Sequence, residues 1–451
     1  MKILHTADWH IGKRLDRFLR IDEQREVLTE IAGIADAESV DLVLVAGDLY
    51  DTVNPGSEAE ELLYQALTDL SGNGRRPVIA IAGNHDSPDR INAPDVLARR
   101  HGINMVGYPA ALVGAVTSDI FTVRPVVPGL AEVRWADNRH PPVRIIMTPY
   151  ANEYRLRSAL IPDDTIDERD KGDKGDNGDN SVGKTPDRDD LLAHALGYHW
   201  NDLAEKHLAG EGINLLVTHL FFAADPASPP EEPESERPIG HVGGAPALSP
   251  EIVPAALQYV ACGHLHRPHT LPGTVPVRYA GSPLSYSFSE AEQTKSVTIV
   301  ELDAPGTLGQ QPEIREVPLT SGYPLRRYTA ESVDAAVTWL AANQDCYVEL
   351  TVDLPEYLSG PDRNLLHQTH PRLVTIIPRR LFDETDQPVR TIDPTGDIRD
   401  LFSQYFTRTY GTPPDDQMKA LLEEVLAGTS TVTTGGAPTG PPTGAPAEAP
   451  P

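Results

Sequence analysis

The chain has 451 residues, and its 66 acidic and 38 basic side chains give a net charge of −28. This length predicts more than one compact unit, because a single core seldom grows past roughly 250 to 300 residues. The acidity argues against simple nucleic-acid binding, so a polyanionic substrate would need metal ions, a local basic patch or a basic partner. Two cysteines, no apolar leader and no apolar run of membrane-spanning length predict a soluble, cytoplasmic protein without a disulfide framework.

The first part of the chain alternates between strand and helix patterns. Apolar, β-branched runs predict strands at 2–7, 41–46 and 77–82. Apolar residues at near-helical spacing predict helices over 21–38 and around 59–70. This alternation is typical of an α/β fold with a largely buried sheet.

Further strands complete the predicted fold. Strands near 143–148 and 213–218 are expected to continue the first sheet. Strands at 258–262, 276–280 and 296–302 are expected to form a second, closing sheet. The sequence therefore predicts a layered β-sandwich flanked by helices.

Five of the predicted strands are followed at once by side chains that can bind metal. These side chains are Asp8 and His10, Asp48 and Asp51, Asn84 and His85, His219, and His264 with His266. Most of these groups alone have an ordinary explanation, such as a surface turn, a helix cap or a hydrogen-bonded core histidine. A buried pair such as His264 and His266, however, is difficult to satisfy by anything except metal or carboxylates. Loops at one edge of a sheet can converge at one point, so the whole set favours a two-metal phosphoesterase site.

The ligand types narrow the choice of metal. Carboxylate, imidazole and amide groups without a thiolate suit manganese, iron or zinc better than calcium. Two ions roughly 3.5 to 4 Å apart could activate a water and stabilise the departing oxygen of a phosphate ester. We therefore expect two divalent ions, with Mn²⁺ preferred over Mg²⁺, Fe²⁺ or Zn²⁺, and Asp48 is the candidate bridge between them.

The order D-x-H, G-D-x-x-D, G-N-H-D, H and G-H-x-H resembles the calcineurin-like metallophosphoesterases. Within that superfamily, the opening stretch 1–13 and the flanking stretches 46–52, 262–268 and 279–284 resemble the bacterial SbcD family, the nuclease subunits of SbcCD complexes. The resemblance covers most of the chain. It implies a manganese-dependent DNA exonuclease and endonuclease that acts on ends, hairpins and single strands in repair, recombination and replication.

The resemblance also implies roles for individual residues. One ion would be held by Asp8, His10, Asp48 and His266, and the other by Asp48, Asn84, His219 and His264. His85 would contact the phosphate and stabilise or protonate the leaving group. Asp51 would hold the ring and tautomer of His85.

The remaining chain divides by composition. The predicted organisation is a nuclease domain over 1–285, mobile inserts at about 163–190 and 224–246, a small α+β capping domain over 286–390, partner-binding helices over 395–428 and a disordered tail over 429–451. The capping domain should contain a helix capped by Ser332, and the acidic or Pro-rich inserts depart from the family pattern.

Two apolar stripes follow the capping domain. The first includes Phe402 and Tyr405, and the second includes Leu422. Both stripes could pack on their own domain, or they could bind the base of a partner coiled coil. The resemblance implies that they bind an SbcC-like ATPase, within a heterotetramer that contains a homodimer of this chain.

Three hypotheses about function remain open. The preferred one is a nuclease subunit regulated by an ATPase. The second is a stand-alone phosphodiesterase or phosphatase for a small phosphoester or a phosphoprotein, and the third is a non-catalytic scaffold for DNA ends. The C-terminal stripes favour the first over the second, and the complete set of ligands weighs against the third.

Overall fold

The computed structural model describes residues 1–152, 155, 188–226, 247–302, 311–355, 357–380, 397–410, 414, 418–419 and 421–423. Most of both predicted inserts, the predicted tail and most of the second apolar stripe lie outside these residues. One correction concerns residues 188–190, which were assigned to the first insert but begin a helix, Arg188–His207. Leu192, Leu196 and Trp200 of this helix are buried at four-residue spacing, so packing of this apolar face stabilises the helix.

The strands of the described residues, in chain order, are β1 Lys2–Thr6, β2 Arg14–Leu15, β3 Phe18–Leu19, β4 Leu42–Ala46, β5 Val78–Ile81, β6 Ile103–Val106, β7 Val116–Thr117, β8 Phe121–Val127, β9 Leu130–Trp135, β10 Val143–Thr148, β11 Ile213–His219, β12 Tyr259–Gly263, β13 His269–Leu271, β14 Val277–Tyr279, β15 Ser296–Glu301, β16 Glu313–Pro318, β17 Leu325–Ala330, β18 Tyr347–Leu354 and β19 Leu373–Arg380. The α-helices are α1 Ile21–Ala37, α2 Ser57–Leu70, α3 Pro88–Asn92, α4 Asp95–Ala98, α5 Arg188–His207, α6 Val333–Ala342, α7 Gly360–Thr369 and α8 Ile398–Tyr410. No helix in this described part is both long and apolar enough to span a membrane.

Two large sheets form the centre of the molecule. The first has six strands in the order β16-β15-β1-β4-β5-β6, and the second has eight in the order β13-β14-β12-β11-β10-β9-β8-β7. In the first sheet, β1, β4, β5 and β6 are parallel, whereas β15 pairs antiparallel with β1. In the second sheet, β10, β11 and β12 are parallel.

The predicted strands exist, but three of them were assigned to the wrong sheet. The strands at 143–148 and 213–219 lie in the second sheet beside β12, and do not continue the first. The strand predicted at 296–302 lies in the first sheet, where Ile3 faces Val300. Hydrophobic runs identify a buried strand but not its partner, because pairing depends on distant residues. The first sheet therefore extends past residue 285 into the segment predicted as the capping domain.

Alternating side chains of each strand fill two different cores. In β4, Leu42 and Leu44 face the second sheet, whereas Val43 and Val45 pack against α1 and α2. This alternation follows from the two-residue repeat of a strand, and both faces are apolar because both are covered. Helix α5 covers the outer face of the second sheet. The layers are therefore helix, sheet, sheet, helix, which is the predicted sandwich.

The remaining described residues form smaller structures. Strands β17, β18 and β19 make a three-stranded sheet, and the side chain of Ser332 accepts a hydrogen bond from the amide of Ala335 at the start of α6, as predicted. By contact density the chain divides into Met1–Val352 with Asn364–Ile377, and Asp353–Arg363 with Pro378–Pro451. Helix α8 belongs to the second of these units. The division of the chain into functional domains stays a prediction.

Candidate metal centre

Five strand ends deliver the predicted site residues. Strands β1, β4 and β5 of the first sheet end just before Asp8, Asp48 and Asn84. In the second sheet, β11 ends on His219, and β12 ends just before His264. Because these strands run parallel within each sheet, their carboxyl ends meet at one edge of the sandwich.

Four of the seven predicted ligands lie in the left-handed region of backbone conformation. The φ angles are 55° at Asp8, 45° at His10, 49° at Asp48 and 108° at His264. Non-glycine residues seldom adopt such angles, and each costs on the order of 1 to 3 kcal/mol. Hydrogen bonds hold the strained turns together, from the amide of Asp8 to the Gly47 carbonyl at 3.0 Å and from that of His10 to the Asp48 carbonyl at 2.9 Å. Strain concentrated in this way is typical of functional sites.

The residues predicted to hold one ion, here called the first ligand group, are all buried: Asp8, His10, Asp48 and His266. The Nε2 atoms of His10 and His266 lie 3.0 Å apart, and Asp48 Oδ2 lies 3.5 Å from His10 Nε2. Two nitrogens each about 2.1 Å from one ion at a right angle would be about 3 Å apart, so the two rings are spaced as ligands of one metal. Ligand atoms of Asp8, His10 and Asp48 lie within 4.8 Å of one another.

Asp48, Asn84, His219 and His264 form the second group. Asn84 Oδ1 lies 2.8 Å from His219 Nε2 and 3.0 Å from His264 Nδ1. Asp48 Oδ2 lies 3.4 Å from His219 Nε2, almost the same distance as from His10 Nε2. One carboxylate oxygen therefore faces both groups.

Hydrogen bonds on the far side of two rings set their orientation. Nδ1–H of His219 donates to the carbonyl oxygen of Ala46 at 2.8 Å, which turns Nε2 towards the second group. His266 Nδ1 lies 3.2 Å from Glu290 Oε1, which turns its Nε2 towards the first group. Metal-binding histidines commonly carry such a second hydrogen bond.

Burial and mutual charge shift the pKa values of these groups strongly. Burial raises the pKa of Asp8 to about 8, with the charge of His219 opposing this. Burial also acts on Asp48, but His219 and His85 outweigh it and hold the Asp48 pKa well below its usual range. Burial lowers the pKa of His10 to about 3, so its ring is neutral and the lone pair of one ring nitrogen is available to bind a cation.

The donors present fit divalent cations. Within the described residues, Asp8 Oδ2 and His10 Nδ1 are buried and have no hydrogen-bond partner. A buried carboxylate oxygen without a partner is unfavourable unless a cation compensates it. Oxygen and nitrogen donors without a thiolate match the metals expected from the sequence.

His85 differs from the ligands in its surroundings. Its Nδ1–H donates to the main-chain carbonyl oxygen of Asp51 at 2.8 Å, and its buried Nε2 has no hydrogen-bond partner in the described part of the chain. The carboxylate of Asp51, which was predicted to hold this ring, instead accepts a hydrogen bond from Lys13 Nζ at 2.9 Å. That carboxylate also lies 3.6 Å from His10 Nδ1. The backbone turn, not the carboxylate, orients the His85 ring.

Sequence reasoning missed several residues that shape the site. Asp86, which is buried, accepts hydrogen bonds from the amides of Leu49, Tyr50 and Gly83 at 2.8 to 3.0 Å, and so ties two ligand loops together. Its place at the end of Gly-Asn-His-Asp was the only local signal. Glu290 follows no strand and belongs to no ligand motif, so nothing near it in the sequence indicates its contact with His266.

The profile of the family described as "Calcineurin-like phosphoesterase" matches residues 1–268, which is more than half of the chain. The chain therefore belongs to the calcineurin-like phosphoesterase family. This confirms the predicted fold and the predicted class of enzyme, a metal-dependent phosphodiesterase, and the family implies divalent metal ions.

Relatives with established names are similar over most of the chain. The D subunit of the nuclease SbcCD from Bacillus subtilis is 34% identical over 437 residues, 95% of this chain and 98% of the relative. The protein of the same name from Rhodobacter capsulatus is 30% identical over 80% of this chain and 76% of the relative. The crystal structure of a dimetal phosphatase from Danio rerio covers 70% of this chain and 98% of its own, at 12% identity and a TM-score of 0.36, which is too low to carry an argument.

Proposed function

We propose that this chain is the nuclease subunit of an SbcCD-type complex and that it hydrolyses phosphodiester bonds in DNA. The observation that carries the proposal is the convergence of all seven expected ligands at one edge of the sandwich, in a chain that matches the D subunit of the Bacillus subtilis nuclease SbcCD along almost its entire length. The proposed activities are exonucleolytic cleavage of duplex ends and endonucleolytic cleavage of single strands and hairpins. They would serve end processing in repair, recombination and replication.

The proposed metal ligands follow the two groups. Asp8, His10, Asp48 and His266 would hold one ion, and Asp48, Asn84, His219 and His264 the other, with Mn²⁺ as the preferred metal. Two bound divalent ions supply an activated water and charge to stabilise the leaving oxygen. The protein contributes fixed ligand positions, since the strained loops and the buried hydrogen bonds leave the side chains little freedom.

His85 is the proposed catalytic residue. Its Nδ1–H is held by the carbonyl oxygen of Asp51, so Nε2 is the ring nitrogen left without a hydrogen-bond partner in the described part of the chain. In the imidazolium form, Nε2–H would donate its proton to the departing oxygen of the phosphodiester. The edge of the His85 ring lies close to His10, with ring centres 4.7 Å apart, so this proton would be delivered beside the first ligand group.

The proposal includes a partner because of the charge of this chain. A net charge of −28 repels DNA, and neutralising phosphates normally requires Lys and Arg. An SbcC-like ATPase with a coiled coil would supply the basic surface, docked on the first stripe, with Phe402 and Tyr405, and on the second, with Leu422. The assembly would be a heterotetramer built on a homodimer of this chain, and its proposed location is the cytoplasm.

The decisive experiment is digestion of end-labelled hairpin and duplex DNA in Mn²⁺, with and without the SbcC-like partner and ATP. We expect weak cleavage by the chain alone and stronger, ATP-dependent cleavage by the complex. An Asp48→Ala protein is the control for contaminating nucleases. Hydrolysis of small phosphodiesters without any cleavage of DNA would favour a stand-alone phosphodiesterase. DNA-end binding without any hydrolysis would favour a scaffold.

A further inference from the structure

A buried ion pair lies directly behind one of the proposed metal ligands. Glu290 and Lys295 are 2% and 8% exposed, and Lys295 Nζ lies 2.5 Å from Glu290 Oε2. The other carboxylate oxygen of Glu290 lies 3.2 Å from Nδ1 of His266. Both residues lie beyond the segment 1–268 that matches the phosphoesterase family, so the family profile does not include this pair.

The pair holds His266 through its main chain and its side chain together. Lys295 Nζ donates to the carbonyl oxygen of His266 at 3.1 Å and to Ser282 Oγ at 3.0 Å. The amide of Tyr286 donates to Glu290 Oε1 at 3.2 Å. These contacts fix both the backbone and the ring of His266, and they orient its Nε2 towards His10 Nε2.

The segment that carries this pair also contacts the other histidine of the first group. The Tyr286 ring packs edge-on against both His10 and His266, with ring centres 5.5 and 5.9 Å away. Its hydroxyl donates to the main-chain oxygen of Trp9, the residue before His10. Residues 282–295 therefore touch both imidazoles of the first group, whereas the described contacts of this segment do not reach Asn84 or His219.

A purely structural role explains this arrangement poorly. Burying two charges costs several kcal/mol per ion, and a buried ion pair is often no more stable than apolar residues of the same volume. A carboxylate that accepts from Nδ1–H, however, makes the opposite nitrogen a better metal ligand and fixes the ring. This benefit exists only if His266 binds a metal.

We propose that Glu290, anchored by Lys295, is a positioning residue that sets the metal affinity of the first ligand group through His266. The inference rests on the proposed function only in assuming that His266 binds a metal ion. It concerns one of the two ions and leaves the second ligand group unchanged.

The test measures Mn²⁺ binding to the full-length protein by calorimetry and by electron paramagnetic resonance. We expect two bound ions in the unchanged protein. Glu290→Ala should lower the affinity for one ion by roughly 10- to 100-fold and leave the affinity for the other unchanged. This is the range seen when a carboxylate that hydrogen-bonds to a metal-binding histidine is removed. Glu290→Gln keeps an acceptor for Nδ1–H but lacks the charge, so its loss should be measurable but smaller, a partial rescue.

Glu132 offers a matched control. It is also a buried carboxylate, 5% exposed, with Arg134 Nε at 2.8 Å, but it lies in β9 and touches none of the proposed ligands. Glu132→Ala and Glu132→Gln should lose stability without losing either ion. Thermal unfolding of every variant separates loss of fold from loss of metal.

Wild-type affinity for both ions in folded Glu290→Ala would overturn the inference. If that variant does not fold, Glu290→Gln decides, and unchanged affinity for both ions in this variant would overturn it equally. Failure of the proposed function has a different signature, since an unchanged protein that binds two ions and cleaves no DNA would refute the nuclease proposal while the role of Glu290 stands.

Discussion

At the scale of single residues, Asp48 is the most important side chain of the site because one of its oxygens faces both ligand groups. Asp48 Oδ2 lies 3.5 Å from His10 Nε2 and 3.4 Å from His219 Nε2, while Oδ1 accepts from the amide of His85 at 2.9 Å. The position of His85 therefore depends on this side chain, and so would both ions under the proposed ligand assignment. The buried Nε2 of His85 has no hydrogen-bond partner in the described part of the chain, and we expect its chemistry to be separable from metal binding.

Asp48→Ala should abolish binding of both divalent ions, because neither group keeps a complete set of donors without the shared oxygen. Metal content after exhaustive dialysis against Mn²⁺ buffer checks this, with circular dichroism to establish that the protein is folded. One ion remaining at full occupancy would contradict the shared bridge and assign Asp48 to a single group.

His85→Ala should keep both ions and DNA affinity while lowering the rate of cleavage by roughly 10² to 10⁴, the usual range for a lost general acid or base. His101, in the short turn before β6 and outside the site, provides the control His101→Ala, which should change nothing. Asp51→Asn should leave the His85 ring in place, because the main-chain carbonyl holds it. Loss of an ion from His85→Ala would make His85 a ligand.

At the scale of elements, the site depends on glycines that let the two sheets approach. A Cβ on Gly83 would overlap the carboxylate and the amide of Asp48. A Cβ on Gly47 would overlap the imidazole of His219, which comes from the other sheet. Both glycines belong to motifs that are recognisable in the sequence, G-D and G-N-H-D. The sequence does not show, however, which close contacts require glycine at these positions. The close approach exists only once β4, β5 and β11 are in place.

Gly83→Ala should displace Asp48 and lower the affinity for both ions by at least about tenfold. The new methyl group and the Asp48 carboxylate cannot occupy the same space. Gly33→Ala is the matched control, since Gly33 lies on the exposed side of α1 with open space around it. That control should raise the free energy of unfolding by about 0.5 to 1 kcal/mol and leave metal binding unchanged. Calorimetric titration with Mn²⁺ beside urea unfolding measures both quantities, and normal metal binding by Gly83→Ala would contradict the packing argument.

The limits of sequence reasoning also belong to the scale of elements. Strands β1, β4, β5, β11 and β12 were placed to within two residues, because a buried strand leaves a local apolar run. The sheet to which β10 or β15 belongs is set by pairing with distant residues, and no local pattern records it. Glu290 was missed for the same reason. It is 24 positions from His266 in sequence and is brought to it only by the fold.

At the scale of the whole molecule, charge is the property that the fold does not explain. The net charge is −28, and residues 163–190 contain eleven acidic and five basic side chains, a net of −6, which leaves −22 on the rest. Removing the insert would therefore not make the chain attractive to DNA. A basic partner remains necessary if DNA is the substrate, and we expect helix α8 to contact it, since the Tyr405 side chain is 60% exposed.

Phe402→Asp together with Leu422→Asp should abolish co-purification with an SbcC-like ATPase and its ATP-dependent stimulation of cleavage. Interface energy concentrates in a few buried apolar anchors, and a carboxylate at such a position would be buried without a partner. Metal-dependent cleavage of short DNA by the isolated chain should persist, because α8 and the metal centre belong to different units of the chain.

The control for this prediction places the same charges on apolar side chains that are exposed elsewhere. Leu97 and Leu112 are 67% and 66% exposed and lie in the unit that carries the metal centre. Leu97→Asp with Leu112→Asp adds two negative charges but should leave the partner bound, so general repulsion is separated from loss of a docking surface. Partner binding that survives in the Phe402 and Leu422 variant would place the docking site elsewhere. A cooperative loss of thermal stability in that variant would instead make the stripe part of the chain's own core.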